Sequence, residues 1–178
     1  MVAPPDRALE RMTDADVPAV LALERASPEG SAWDEAQLRD ELARNWAHLW
    51  VMRGVARGVT RVPNDDGGGV VAFIATWLVQ DELHVLNVAT DPAHRRRGHA
   101  RALLRHALSF GVEHGVRLVL LEVRRSNAAA IALYRALGFS ATNVRARYYA
   151  DGEDAVEMSL RIDPATGSTL PGRDEVRI

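Results

Sequence analysis

Between Gly98 and Val123 the chain sets an amphipathic helical pattern against an almost unbroken apolar strand. Ala100, Leu103, Leu104, Ala107 and Leu108 follow one helical stripe, and Gly115 ends it. Val116 to Val123 is valine and leucine except for Arg117 and Glu122. Such a run predicts a central strand covered on both faces. A chain built around it must be layered, with helices packed on a sheet.

The remaining pattern fits that frame. Ala8 to Met12 predicts a first strand. Asp14 or Asp16 can cap a helix with Pro18 in its first turn and Val20, Leu21 and Leu23 as apolar positions. Pro28-Glu29-Gly30-Ser31 breaks it, and Asp34 opens a second helix with Leu38 and Leu42 on one face. Leu49 to Met52, Val70 to Val79 and Leu83 to Ala89 predict three strands, with a polar, glycine-rich connection from Arg53 to Gly69. A fourth helix runs from Asn127 to Leu137 and closes at Gly138. The last strands fall near Phe139 to Tyr149 and Ala155 to Ile162, joined by an Asp151-Gly152 turn. The expected architecture is one α+β domain over residues 1–162, its mixed sheet crossed by a helix after the fourth strand. Residues 163–178, with Pro164, Gly167, Pro171 and Gly172, are expected to form a weakly structured tail.

Composition narrows the function classes. No apolar run approaches the ~20 residues that span a bilayer, and Met1 to Asp6 lacks the basic and apolar regions of a signal peptide. A cytoplasmic protein without membrane contact is expected. Cysteine is absent, which removes disulfides, thiolate metal sites and a cysteine nucleophile; no metal is expected. A net charge of −2 argues against a nucleic-acid binder. All 22 basic residues are arginine, a bias that a GC-rich genome explains.

Two segments point to chemistry. Arg95-Arg96-Arg97-Gly98-His99-Ala100-Arg101 opens the long helix. A helix N-terminus offers unpaired N–H groups to phosphate, Gly98 and Ala100 allow close approach, and the arginines add countercharge. The plain alternative is a solvated basic helix start, with His99 as a partly exposed filler. Further on, Glu122 interrupts the apolar strand and Tyr134 lies in the following helix. Burial would raise the pKa of Glu122 toward that of a useful base, and a phenol can serve a departing thiolate. The alternatives are an ion pair of Glu122 with Arg124 or Arg125, and a core role for Tyr134.

The chain resembles the GNAT acetyltransferase superfamily, and within it the RimI-type N-terminal alanine acetyltransferases that modify a small-subunit ribosomal protein. The resemblance rests on Asn87-Val88-Ala89-Thr90-Asp91-Pro92, Arg95 to Arg101, Leu121 to Arg124 with Ser126 to Tyr134, Gly138-Phe139, and Arg147-Tyr148-Tyr149-Ala150-Asp151-Gly152-Glu153-Asp154-Ala155. It implies a mostly antiparallel seven-stranded sheet flanked by four helices, with a splayed central strand pair. It also implies acetyl-CoA as co-substrate. Val88, Ala89 and Thr90 would hold the acetyl and pantetheine arm, a backbone N–H there polarising the thioester carbonyl. Arg96, Arg97, Gly98, His99, Ala100 and Arg101 would bind pyrophosphate, and Asn127 would contact coenzyme A. Glu122 would be general base and Tyr134 general acid in direct transfer. Tyr148, Tyr149 and Trp33 would line a peptide entrance. Ala32 stands where the family has proline, His99 where it has an aliphatic residue, and Ala100 where it often has glycine.

The expected reaction is acetylation of an alanine-type protein N-terminus. An α-amino group has a pKa of ~7.7–8.0 against ~10.4 for lysine, so a modest base suffices. Other readings are a GNAT enzyme acting on lysine side chains or small-molecule amines, and a non-catalytic acyl-CoA-binding module. The paired tyrosines favour the first reading, and the presence of both Glu122 and Tyr134 argues against the module. Carboxylates between Glu24 and Glu41 suit a basic peptide or a solvated helix face equally.

Overall fold

The computed structural model describes residues 7–27, 33–54 and 69–178. The expected helix break at Pro28 to Ser31, Ala32, and nearly all of the glycine-rich connection lie outside these residues. The elements are β1 (Arg7–Arg11), α1 (Val17–Ala26), α2 (Glu35–Ala43), β2 (Ala47–Gly54), β3 (Val70–Val79), β4 (Glu82–Thr90), α3 (His99–Glu113), β5 (Leu118–Arg124), α4 (Ala128–Arg135), β6 (Ser140–Arg145), β7 (Ala155–Ile162) and β8 (Thr169–Leu170). This is an α+β fold with a mixed, mostly antiparallel sheet. Two compact units share it: one holds the chain to Ala75 with Asn87–Leu104, the other Thr76–Leu86 with Arg105–Ile178.

In the first unit the strand order is β1-β2-β3, with β1 and β2 antiparallel from Arg7↔Gly54 to Arg11↔Trp50. The buried runs of this unit are Leu49 to Met52 in β2 and Val71 to Ala75 in β3. Helix α1 buries Val17, Val20, Leu21, Leu23 and Glu24, and α2 buries Leu38. Asp34 caps α2 by accepting from the Gln37 N–H at 2.8 Å, while Gln37 Oε1 accepts from the Asp34 N–H.

In the second unit the order is β3-β4-β5-β7-β6, with β8 on β7. A tight turn at Gln80, with φ 57, joins β3 to β4. Strands β4 and β5 run parallel from Glu82↔Leu118 to Val85↔Leu121, as a helix crossover requires. Both strands continue beyond that register. Strand β5 differs from its expected double cover. Val119, Leu121 and Val123 are buried, but Leu118 and Leu120 are half-buried and Glu122 is exposed. Its side chains alternate in environment despite a nearly uniform apolar sequence. Gly138 ends the α4 segment at φ 99, the left-handed position expected of it.

Residues after Asp163, expected to be weakly structured, instead bind the second unit. They add β8, and Asp174 accepts from the Ala141 N–H at 2.9 Å while pairing with Arg135. The Glu175 N–H returns to the Ala141 carbonyl at 2.8 Å. Proline and glycine mark the turns of this segment, but short side-chain anchors such as Asp174 have no periodic signature.

Asp16 starts α1 from a buried position, 4% exposed. One carboxylate oxygen accepts from the Thr13 N–H and hydroxyl at 2.9 Å, the other from Arg53 at 2.8 Å. Burial alone would raise its pKa, but the Thr13 bonds and Arg53 outweigh that and lower it. Asp16→Ala is expected to cost about 2 kcal/mol in urea unfolding at neutral pH, because it leaves the Thr13 N–H and hydroxyl without their acceptor and removes one of the two carboxylates on Arg53, which keeps Glu10. The stabilising contribution is present above the ordinary carboxyl value of 3.8 and is lost as acid protonates the native carboxylate. The stabilities of wild type and variant should therefore converge at low pH.

Candidate active site

The first unit contains the phosphate-type turn. Strand β4 ends at Thr90, and the Asp91 N–H donates to the Val71 carbonyl at 2.9 Å. The Asp91 carboxylate then accepts from the Ala93 N–H and from His94, both at 2.9 Å, and these bonds hold its pKa below the usual carboxylate value. The chain turns through Arg96 at φ 62 and Gly98 at φ 82 before α3 begins at His99. Left-handed residues that alternate with Arg97 and lead into a helix start form the kind of turn whose backbone N–H groups can converge on an anion. Gly98 was legible in sequence; the left-handed Arg96 was not, because a residue with a Cβ rarely adopts that conformation.

Arg96, Arg97 and Arg101 are exposed at this turn, and Ala100 is half-buried. The Gly98 carbonyl accepts the first α3 bond, from Ala102 at 3.0 Å, leaving the first-turn N–H groups directed outward. His99 departs from expectation. It is 5% exposed, with Nδ1 2.8 Å from the Met52 sulfur, so the helix start offers a ligand its backbone rather than its ring. Val88 and Thr90 are half-buried and Ala89 is buried, and Arg95 reaches the Thr90 carbonyl at 3.4 Å. Trp33 is half-buried just ahead of α2.

The second unit contains the carboxylate, the phenol and the paired tyrosines. Glu122 stands opposite Glu157 across the β5–β7 pair, and Asn143 opposite Glu157 across β6–β7. Two carboxylates at directly opposed positions repel. Arg145 relieves this from β6, with one nitrogen 2.5 Å from Glu122 and another 3.7 Å from Glu157. The Asn143 amide donates to Glu157 at 2.8 Å. The Tyr148 hydroxyl donates to Glu122, a bond that leads the causes raising the Tyr148 pKa. The burial expected for Glu122 is therefore not found: its side chain is 32% exposed, because the alternation of β5 turns it away from Leu121 and Val123. Its ion-pair partner is Arg145, while Arg124 and Arg125 pair with residues of the 146–154 loop.

That loop, nine residues rather than a two-residue turn, follows β6 through Arg147 at φ 52. Arg124 lies 4.0 Å over the Tyr149 ring and binds Asp151 and Glu153 at 2.8 and 2.9 Å. Arg145 lies 4.3 Å over Tyr148, and the two tyrosine rings meet edge to face at 5.2 Å. Glu153 also accepts from the Ser126 N–H, and hydrogen bonds to Ser126 and then Arg124 hold its pKa at about 2. The Asn127 oxygen caps α4 by accepting from Ala130 at 3.0 Å, so its acceptor serves the helix.

Tyr134 is buried on α4 with Ile131, its ring 5.8 Å from Phe139. Burial, with Tyr149 adding, pushes its pKa up to about 12. Tyr149 also reaches about 12 through burial, against the opposing charge of Arg124. A tyrosine with a raised native pKa stabilises fully below its ordinary value of 10.0, and that contribution is lost as pH rises toward about 12. A tenfold change in an acid constant corresponds to about 1.4 kcal/mol, so Tyr134 accounts for roughly 3 kcal/mol of alkaline destabilisation. Tyr134→Phe is expected to flatten the fall of unfolding free energy between about pH 10 and 12 by that order; an unaltered slope would remove the buried phenol as its source.

Comparison with known proteins places this geometry. Residues 18–139 match the acetyltransferase (GNAT) family. A ribosomal protein bS18-alanine N-acetyltransferase of Escherichia coli K12 is 48% identical over 98 residues, which span 53% of this chain and 66% of that protein, just short of two thirds of its length. A Bacillus subtilis protein provisionally given the same name is 30% identical over 158 residues, 88% of this chain and 96% of its own. The crystal structure of the ribosomal-protein-S18-alanine N-acetyltransferase from Escherichia coli superposes with a TM-score of 0.71 at 30% identity, covering 97% of this chain and 99% of that one. With its α+β fold, phosphate-type turn and matched segment, the chain belongs to the GNAT acetyltransferase family.

Proposed function

We propose that this protein is an N-terminal acetyltransferase that moves acetyl from acetyl-CoA to the α-amino group of an alanine-type N-terminus, that of a small-subunit ribosomal protein, in the cytoplasm. The observation that most supports this reading is the joint likeness, in sequence and in fold, to the Escherichia coli enzyme named for that substrate.

Acetyl-CoA supplies an activated thioester and a thiolate leaving group. The residues of the first unit suit its anionic part: exposed Arg96, Arg97 and Arg101 surround a helix start whose Gly98 and Ala100 leave the backbone open. Val88 to Thr90 would hold the acyl arm by backbone bonds, and one N–H there would polarise the carbonyl. Asn127, whose oxygen caps α4, would contact coenzyme A from the start of that helix.

Glu122 would act as base through water rather than from a dry pocket. A carboxylate has about four acceptor positions, so the Arg145 and Tyr148 bonds leave room for one water. Tyr134 remains protonated at neutral pH, and a phenol near 12 lies well above a thiol at ~8.5. It would therefore stabilise the departing thiolate mainly by donating a hydrogen bond, complete proton transfer being uphill. Tyr148, Tyr149 and Trp33 would border the peptide, the two tyrosines kept rigid by Arg145 and Arg124.

Mass spectrometry of acetyl transfer to short peptides tests the reading. Peptides with free Ala N-termini are expected to be modified, and blocked peptides with internal lysine are not. Modification confined to the blocked peptides would overturn it. Tyr134→Phe is expected to lower kcat by roughly a hundredfold while acetyl-CoA affinity changes little, as removal of a donor acting on the leaving group requires. An unchanged kcat would exclude Tyr134 from the chemistry.

A further inference from the structure

Helix α1 contributes one residue that packing alone does not explain. Val17, Val20, Leu21 and Glu24 fall on a single helical stripe, and all four are buried. Glu24 thus occupies a core position, 3% exposed. Among the described residues neither of its carboxylate oxygens has a hydrogen-bond partner, and the Asn87 amide nitrogen, in a side chain 8% exposed, has none either. Two groups that could satisfy each other are both left open. The Asn87 side chain and the Trp33 backbone N–H are the polar neighbours of the carboxylate. They partly oppose the rise in pKa that burial causes, without reaching hydrogen-bond geometry. Asp16, on the same stretch of chain, shows the contrast: buried to a similar degree, it is fully bonded to Thr13 and Arg53. An unpartnered buried carboxylate costs stability and is answered by a cationic donor.

The neighbours of Glu24 give that donor a chemistry. Trp33 belongs to the proposed peptide entrance, and Asn87 directly precedes Val88 to Thr90, the proposed support of the acyl arm. We infer that the Glu24 carboxylate, set between Trp33 and Asn87, anchors the amino group of the incoming acceptor. The inference rests on the N-terminal acetyltransferase reading. An α-ammonium has three N–H donors; two match the two open carboxylate oxygens of Glu24, and the third stays available to the base. Glu24 is a substrate-anchoring residue in this arrangement, separate from the base and acid roles proposed for Glu122 and Tyr134.

Calorimetric titration of the full chain saturated with coenzyme A tests this, using an Ala-initiated peptide and its counterpart with a hydroxyl in place of the α-amine. Glu24→Gln is expected to weaken binding of the amine peptide roughly tenfold or more, the loss of one charge-assisted hydrogen bond, and to leave the hydroxyl peptide and coenzyme A unaffected. Glu24→Asp, which retracts the carboxylate, is expected to fall between the two, and it decides the matter by the same comparison if Glu24→Gln does not fold. Unchanged binding of the amine peptide, or equal losses for both peptides, would overturn the anchoring role. If wild type acetylates lysine peptides instead of α-amines, the function reading fails. The same titration then runs with a blocked lysine peptide against its norleucine counterpart, where selective loss for the lysine peptide supports the anchor and no loss overturns it.

Discussion

Register places Glu122 and Glu157 directly opposite each other on β5 and β7, and two anionic groups so placed require a cation. Arg145 supplies it from β6, and much of the second unit's candidate site follows. The guanidinium that bridges the carboxylates is the one lying over Tyr148, and Tyr148 returns a hydrogen bond to Glu122. Tyr149 packs edge-on against Tyr148 and beneath Arg124, which in turn grips Asp151 and Glu153. A long loop that would lose much conformational entropy on ordering is tied at both ends to the sheet. Its rigidity comes from arginine faces and carboxylate forks rather than from apolar burial.

The acidic residues fall into two environments as a result. Glu122 and Glu157 are partly exposed and bridged by arginine. Glu24 is buried on the α1 stripe, beside Asn87 and Trp33, with no bonded partner among the described residues. Environments that differ this much separate the roles that chemically identical side chains can play. A bridged, hydrated carboxylate can relay a proton through water, whereas a dry and unpaired one has a strong preference for a cationic donor. The similar distinction between Asp16 and Glu24 shows that burial alone does not decide the pKa direction: bonds to Thr13 and Arg53 overcome burial and lower one, whereas burial outweighs the opposition of Asn87 and Trp33 and raises the other.

Much of the fold was legible because its elements obey simple periods. The α1 and α3 stripes, the Asp34 cap, the Gly138 terminator and the β4–α3–β5 crossover follow from residue type and spacing. Errors arose where the neighbour rather than the residue decides. Glu122 sits in a leucine and valine run that reads as doubly covered, yet the face of β5 that carries it is only half-buried at Leu118 and Leu120. Glu24 reads equally as a contact for a basic peptide or as part of a solvated face, because its charge hides its membership of the Val17, Val20, Leu21 stripe. Arg96 takes a left-handed conformation that few residues with a Cβ adopt and that its residue type does not signal. The segment after Asp163 lacks any periodic pattern, and its order depends on single anchors such as Asp174 on Ala141.

The arginines divide along the same line. Arg53, Arg124 and Arg145 are each held by two carboxylates, and each closes a piece of structure: the start of α1, the 146–154 loop and the β5–β7 face. Arg96, Arg97 and Arg101 are exposed at a helix start where the backbone already favours an anion. An arginine neutralised by two carboxylates has little charge left to offer a phosphate, whereas one held in water beside open N–H groups retains it. In a chain with no lysine, where one residue type must do all cationic work, the presence of acidic partners therefore separates structural arginines from those available to a ligand. By that criterion the charge run that dominates the sequence is secondary to its setting: the turn at Gly98 opens a helix whose first N–H groups are unpaired, and the arginines around it would strengthen the proposed phosphate contact.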